Sequence, residues 1–154
     1  MSNELIKFLM ENSNKVFPLD KTKKWQLQQM WRERFAIELK KNTGKWIFNN
    51  EDWHTFNHGY TPCIKGAKAE FIYNNLKTEQ FYVLSSNEGI TGYFCKEGIL
   101  PKSIELKNIL SKNNQLFDLY ITSYNFSWTM VFVHESDMGP YYCRINNELQ
   151  YEEI

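Results

Sequence analysis

The sequence predicts an α+β domain, with N-terminal helices packed on one face of an antiparallel sheet of about five strands. Three features carry that expectation. Leu27, Trp31, Phe35 and Leu39 recur at every fourth residue, which places them on one buried helix face. From Phe126 to Glu135 large and small side chains alternate in twos, the period of a strand. The helical periods come first and the strand periods follow, which favours segregated helices and sheet over repeated βαβ units.

The elements follow in order. Ser2 or Asn3 caps a first helix with Leu5, Ile6, Leu9 and Met10 on one side, and Ser13, Asn14 and Pro18 end it. Asp20 is a good N-cap for a second, longer helix whose apolar ladder is widened by Met30 and Ile37. Lys40 and Lys41 suit its C-terminus, and Asn42, Thr43 and Gly44 stop it. Residues 45–48 read as a brief edge strand. Trp53 and Phe56 lie one turn apart on a short helix that Gly59 ends, and Ala67, Phe71, Ile72 and Leu76 define another over 66–77. Strands over 80–85 and 90–95 are joined through Asn87, Glu88 and Gly89. Residues 103–111 read either as a helix with Ile104, Leu106, Ile109 and Leu110 inside, or as a loop.

Three strands over 117–123, 126–135 and 141–145 make the centre of the sheet, an antiparallel meander linked by two tight connections. Phe126, Trp128, Met130, Phe132 and His134 share one face, expected beneath the Leu27, Trp31, Phe35 and Leu39 ladder. Ser127, Thr129, Val131, Val133 and Glu135 form a lighter face, expected to be partly wet. The polar residues 148–154 are expected to fray.

The 154 residues suffice for one domain, 1–154, with a single core. Hydrophobic residues at 42% and charged residues at 23% are ordinary for a globular chain, so the 16% of aromatics stands out; Tyr and Trp are favoured at interfaces as well as in cores. A net charge of zero argues against a nucleic-acid binder that relies on a basic footprint. Residues 1–50 carry ten Lys or Arg against five Asp or Glu, and the remainder carry eight against thirteen, so the second half offers acidic side chains. Cys63, Cys95 and Cys143 are odd in number and far apart, as expected of reduced thiols in the cytoplasm. The first residues lack a signal-peptide pattern, and no stretch reaches the length of a membrane span.

Candidate chemistry is sparse. His54 and His58 stand four apart and would face one metal on a helix, with His134, Glu135 or Asp137 completing the shell. The flanking glutamate of the metalloprotease motif is missing, so no metal is expected. His134 and Glu135 sit beside a Gly-Pro turn, where a general acid or base is exposed, but strand neighbours point to opposite faces. Seven glycines, none in GxGxxG spacing, speak against the common nucleotide motifs, and no cofactor is expected. Trp25, Trp31, Arg32 and Arg34 mix aromatics with charge; Trp31 is expected to face the core, with the arginines solvated opposite.

The segments KKWQLQQMWRERFA, WHTFNHGYTPCIKGAKAEF, QFYVLSS and SWTMVFVHESDMGPYY together resemble a bacterial family known only as a domain of unknown function, found in small cytoplasmic proteins. Trp128, Thr129, His134, Glu135, Gly139, Pro140 and Tyr141 carry the pattern. The resemblance implies a single intact domain and transfers no catalytic residue. The preferred expectation is a small bacterial protein-binding domain, most concretely an immunity protein neutralising a partner such as a nuclease toxin. Glu88, Glu97, Asp118 and Asp137, which flank turns, are the acidic side chains expected to meet that partner. The alternatives are an enzyme using His134 and Glu135, and a structural or regulatory homo-oligomer. An enzyme is the less favoured reading, and neither nucleic acid nor membrane is an expected partner.

Overall fold

A computed structural model of the chain describes residues 2–46, 52–85, 89–112, 118–134 and 138–145. Its strands are β1 (Ser13–Pro18), β2 (Ile64–Lys65), β3 (Gln80–Ser85), β4 (Tyr93–Gly98), β5 (Leu119–Ser123), β6 (Trp128–Phe132) and β7 (Tyr141–Arg144). They form one sheet in the spatial order β1-β4-β3-β5-β6-β7-β2, with every pairing antiparallel. The helices are α1 (Ser2–Asn12), α2 (Lys21–Phe35), α3 (Ile37–Thr43), α4 (His54–Asn57), α5 (Ala67–Asn74) and α6 (Ser103–Lys112). The α+β class and the β5–β6–β7 meander are as the alternation predicts. The sheet has seven strands rather than five, because the edge strand β1 and the two-residue edge strand β2 extend it on either side.

Alternate strand residues divide between two apolar layers. Phe81, Val83, Ile121, Trp128, Met130, Phe132 and Tyr142 pack with Leu5 and Leu9 of α1, Ala69 and Tyr73 of α5, and Leu106 and Leu110 of α6. Tyr82, Leu84, Tyr120, Val131, Tyr141 and Cys143 pack with Leu27, Trp31 and Phe35 of α2 and Phe56 of α4. Helices therefore cover both faces of the sheet.

This corrects two expectations. Trp128, Met130 and Phe132 lie beneath α1, α5 and α6, not beneath the α2 ladder. The lighter face is fully buried at Thr129 and Val131, with only Ser127 and Val133 half-buried beyond them: Trp31 Nε1 donates to Thr129 Oγ1 at 2.9 Å, and Thr129 and Thr122 hydroxyls meet at 2.9 Å. Polar threonines read as wet in sequence, yet an indole N–H needs an acceptor when buried, and the threonines supply it.

Asp20 caps α2 as predicted, its side chain accepting from Lys23 N–H at 2.7 Å. The Leu27 to Leu39 ladder is buried throughout, but it belongs to two helices. The break falls at Ala36, where the Phe35 carbonyl accepts from the Thr61 hydroxyl at 2.7 Å. Gln28 donates to the Ser85 carbonyl at 2.9 Å and anchors α2 to the end of β3. The arginines are not simply solvated: Arg32 Nε pairs with Asp52 Oδ2 at 2.7 Å, and Arg34 Nε donates to the Phe126 carbonyl at 3.0 Å. Residues 45 and 46 are not strand, and 47 and 48 lie outside the described residues. Residues 103–112 are helix α6, while β4 begins three residues later than expected. Met10, Phe71 and Ile104, expected inside, point outward from α1, α5 and α6.

Candidate functional site

The antiparallel registers gather the start of β5, the end of β6 and the start of β7 at one end of the sheet. Asp118 precedes β5 there, and His134 follows β6. Beyond the last ladder pair the β6 chain is released from strand alternation, so its side chain can turn along the sheet end. Asp118 is 1% exposed, which corrects its expected place on the surface. Burying a carboxylate is costly unless donors surround it. Three do so. Trp53 Nε1 donates to Oδ2 at 2.8 Å, the His134 backbone N–H donates to Oδ1 at 2.8 Å, and His134 Nδ1 lies 2.7 Å from the same oxygen. The Asp118 oxygen sits on Nδ1, so Nε2 is the ring nitrogen turned away from that carboxylate. Trp53, itself fully buried, ties this end of the sheet to α4, stacking on Tyr141 at 5.9 Å and on His54 at 3.9 Å.

The ring of His134, one-fifth exposed, lines a cavity of about 410 Å³. Ile104, Leu110, Phe132, Val133 and Met138 contribute apolar wall, and Glu70 and Lys107 contribute charge. Lys107 Nζ holds Glu70 Oε2 at 2.9 Å, and Ser103 donates to the other Glu70 oxygen at 2.8 Å. Gly66, whose φ of +73° suits a residue without Cβ, opens α5 at the cavity wall.

At the opposite end of the sheet, a groove of about 810 Å³ runs between the end of α1, the end of β4 and the approach to β3. Met10, 64% exposed, and Ile99, 68% exposed, stand in it beside Glu11, Glu79 and Glu97. Glu97 adopts a left-handed backbone, φ +56°, a strained position for a residue with a Cβ. Its carboxylate lies 3.3 Å from Lys15 Nζ in an exposed ion pair.

Of the acidic residues singled out in the sequence, Glu97 is therefore at the surface and Asp118 is not. Glu88, Glu135 and Asp137 lie outside the described residues. His54 and His58 lie with ring centroids 5.2 Å apart, but His54 does not line the cavity of His134. Among the described residues no group of three or more His, Cys, Asp or Glu is placed to hold a metal ion. Sequence reasoning missed Trp53 as the partner of Asp118, and Met10 and Ile99 as groove residues. The available signal for Asp118 was its position directly before a strand of unbroken apolar and small residues.

Buried groups elsewhere have shifted protonation. Burial pushes the Asp52 carboxyl above its ordinary 3.8, with the Arg32 hydrogen bond and charge opposing. Burial likewise pushes the Cys63 thiol up to about 11, with Lys65 pulling it back in part. All three cysteines are free thiols. Among the described residues no helix is long and apolar enough to cross a membrane.

No curated protein and no solved structure matches the chain significantly. The family model described as a domain of unknown function, DUF4275, matches residues 3–142, nearly the whole chain, and the chain belongs to that family.

Proposed function

We propose that the protein is a protein-binding domain, most concretely a bacterial immunity protein that neutralises a partner toxin in the cytoplasm. The observation that carries this reading is the groove in which Met10 and Ile99 stand exposed among Glu11, Glu79 and Glu97. Large apolar side chains rimmed by charge are the anatomy of a docking surface. Among the described lining residues the carboxylates outnumber the one lysine, Lys77, so the complementary partner is a basic segment with an apolar anchor. The active cleft of a nuclease toxin has that character, because it must hold a phosphate backbone. The exposed pair with Lys15 costs little to exchange for a partner's cation. Glu97 thus remains from the acidic set read in the sequence, while Asp118 is withdrawn because it is buried.

Co-expression with a toxin encoded beside this chain tests the reading through survival and complex formation. Rescue is expected, together with association that slows as salt rises. Ile99→Arg is expected to abolish the complex, and Glu97→Lys to lower the on-rate. A complex indifferent to both substitutions, or no rescue by the parent protein, overturns the proposal.

A further inference from the structure

We propose that the cavity at the end of β6 is a hydrolytic site for short-chain carboxylic esters, with His134 as its general base. The site is distinct from the Glu97 groove and lies at the other end of the sheet. Three observations support it. First, Asp118 fixes the His134 ring through Nδ1 at 2.7 Å while itself held by Trp53 and by the His134 backbone. A base oriented by a third, buried group is the arrangement that proton transfer to and from a nucleophile requires. Second, the ring lines a cavity large enough for a small substrate, with Ile104, Leu110, Phe132 and Met138 offering an apolar lodging for an acyl chain. Third, Lys107 lines the same cavity and, besides the N–H it gives to Glu70 Oε2 at 2.9 Å, carries further N–H donors of the kind a developing oxyanion accepts from.

The step balances without a cofactor. A water oxygen bonds to the ester carbonyl carbon as Nε2 takes one of its protons. The tetrahedral intermediate collapses, the bond from carbon to the alkoxide oxygen breaks, and the imidazolium returns the proton to that oxygen. An acid and an alcohol leave, and His134 is neutral again. Asp118 touches neither water nor ester, so it is a positioning residue. Ser111 is not assigned as nucleophile, since its hydroxyl bonds back to the Asn108 carbonyl of its own helix at 3.4 Å.

The test uses the full chain with p-nitrophenyl acetate, butyrate and hexanoate. Saturable hydrolysis is expected, and His134→Gln is expected to lower kcat by about 10²-fold or more. His58→Gln, at an exposed position outside the cavity, is expected to leave turnover unchanged. In His134→Gly, added imidazole is expected to restore part of the rate above its own background, a rescue that a merely structural role does not produce. Asp118→Asn is expected to lower kcat with little change in KM. Circular dichroism of each variant separates loss of base from loss of fold. Hydrolysis that is absent or unsaturable for all three esters, or unchanged in His134→Gln, overturns the proposal.

Discussion

Trp53→Phe is the sharpest probe of the buried pair. The indole N–H donates to Asp118 Oδ2 at 2.8 Å, and both residues are shut from water. Phenylalanine keeps an aromatic ring against Tyr141 but removes the donor. A hydrogen bond to a charged group contributes about 1.5–3 kcal/mol, and here the abandoned acceptor stays buried, so the upper half of that range applies. The smaller ring adds a packing loss of about 1 kcal/mol. The expected cost is therefore about 3–4 kcal/mol, which for a chain of this size lowers Tm by about 6–16 °C. Urea titration of the parent and the variant measures it, with an unchanged slope confirming that the same surface unfolds. A double-mutant cycle with Asp118→Ala, which removes the acceptor, isolates the pair and is expected to show coupling of about 1 kcal/mol or more. A cost below about 1 kcal/mol with additive single effects refutes the claim that Trp53 holds the carboxylate in place.

Three further outcomes are expected. Trp128→Ala, at a core site between Tyr73 and Tyr142, should cost about 3–5 kcal/mol by denaturant titration; a loss near zero contradicts its burial. The raised Asp52 pKa means that the folded chain holds that proton more tightly than the unfolded chain, so its contribution to stability is present below 3.8 and lost as pH rises through the folded value. The stability advantage of the parent over Asp52→Asn should accordingly shrink from acid to neutral pH, and an advantage that grows instead reverses the assigned sign. With its pKa near 11, Cys63 should react slowly with a thiol-specific disulfide reagent in the native protein at neutral pH and rapidly in denaturant; equal rates exclude the burial assigned to it.

Local chemistry was legible in the sequence, and layer assignment was not. Asp20 announced the start of α2, and the 80–85 strand and the meander showed in their alternation. Periodicity states which residues share a face. It does not state what lies opposite, and so it leaves open that Trp128, Met130 and Phe132 pack beneath α1, α5 and α6 rather than α2. The same gap explains Thr129, whose hydroxyl reads as solvent-facing until Trp31 supplies a donor. The run Ser13 to Pro18 reads as punctuation after a helix. It serves as a strand because it is at the sheet edge, where a proline at the end of the ladder is tolerated. The interruption at Ala36 lacks a proline or glycine, and its cause, the Thr61 hydroxyl on the Phe35 carbonyl, comes from a residue distant in sequence. Asp118 was assigned to solvent from its neighbourhood to a turn, whereas its three donors come from Trp53 and His134, which only the folded sheet brings together.

Covering both sheet faces has a consequence for where function can reside. With α1, α5 and α6 on one side and α2 and α4 on the other, the strand faces are committed to the core, and recognition is left to the strand ends and the helix rims. The registers place those ends apart. Gln80 of β3 pairs with Lys96 of β4, so the groove of Glu97 lies where β3 begins and β4 ends. Leu119 pairs with Phe132, so Asp118 and His134 lie at the end where β5 begins and β6 finishes. The length of the sheet separates the two, and effects at sites without shared contacts are generally additive. Glu97→Lys should therefore alter partner association and leave ester turnover untouched, while His134→Gln should do the reverse. If either substitution moved both readouts while the fold stayed intact, the two ends would be coupled through the strands, and assigning separate roles to the groove and the cavity would fail.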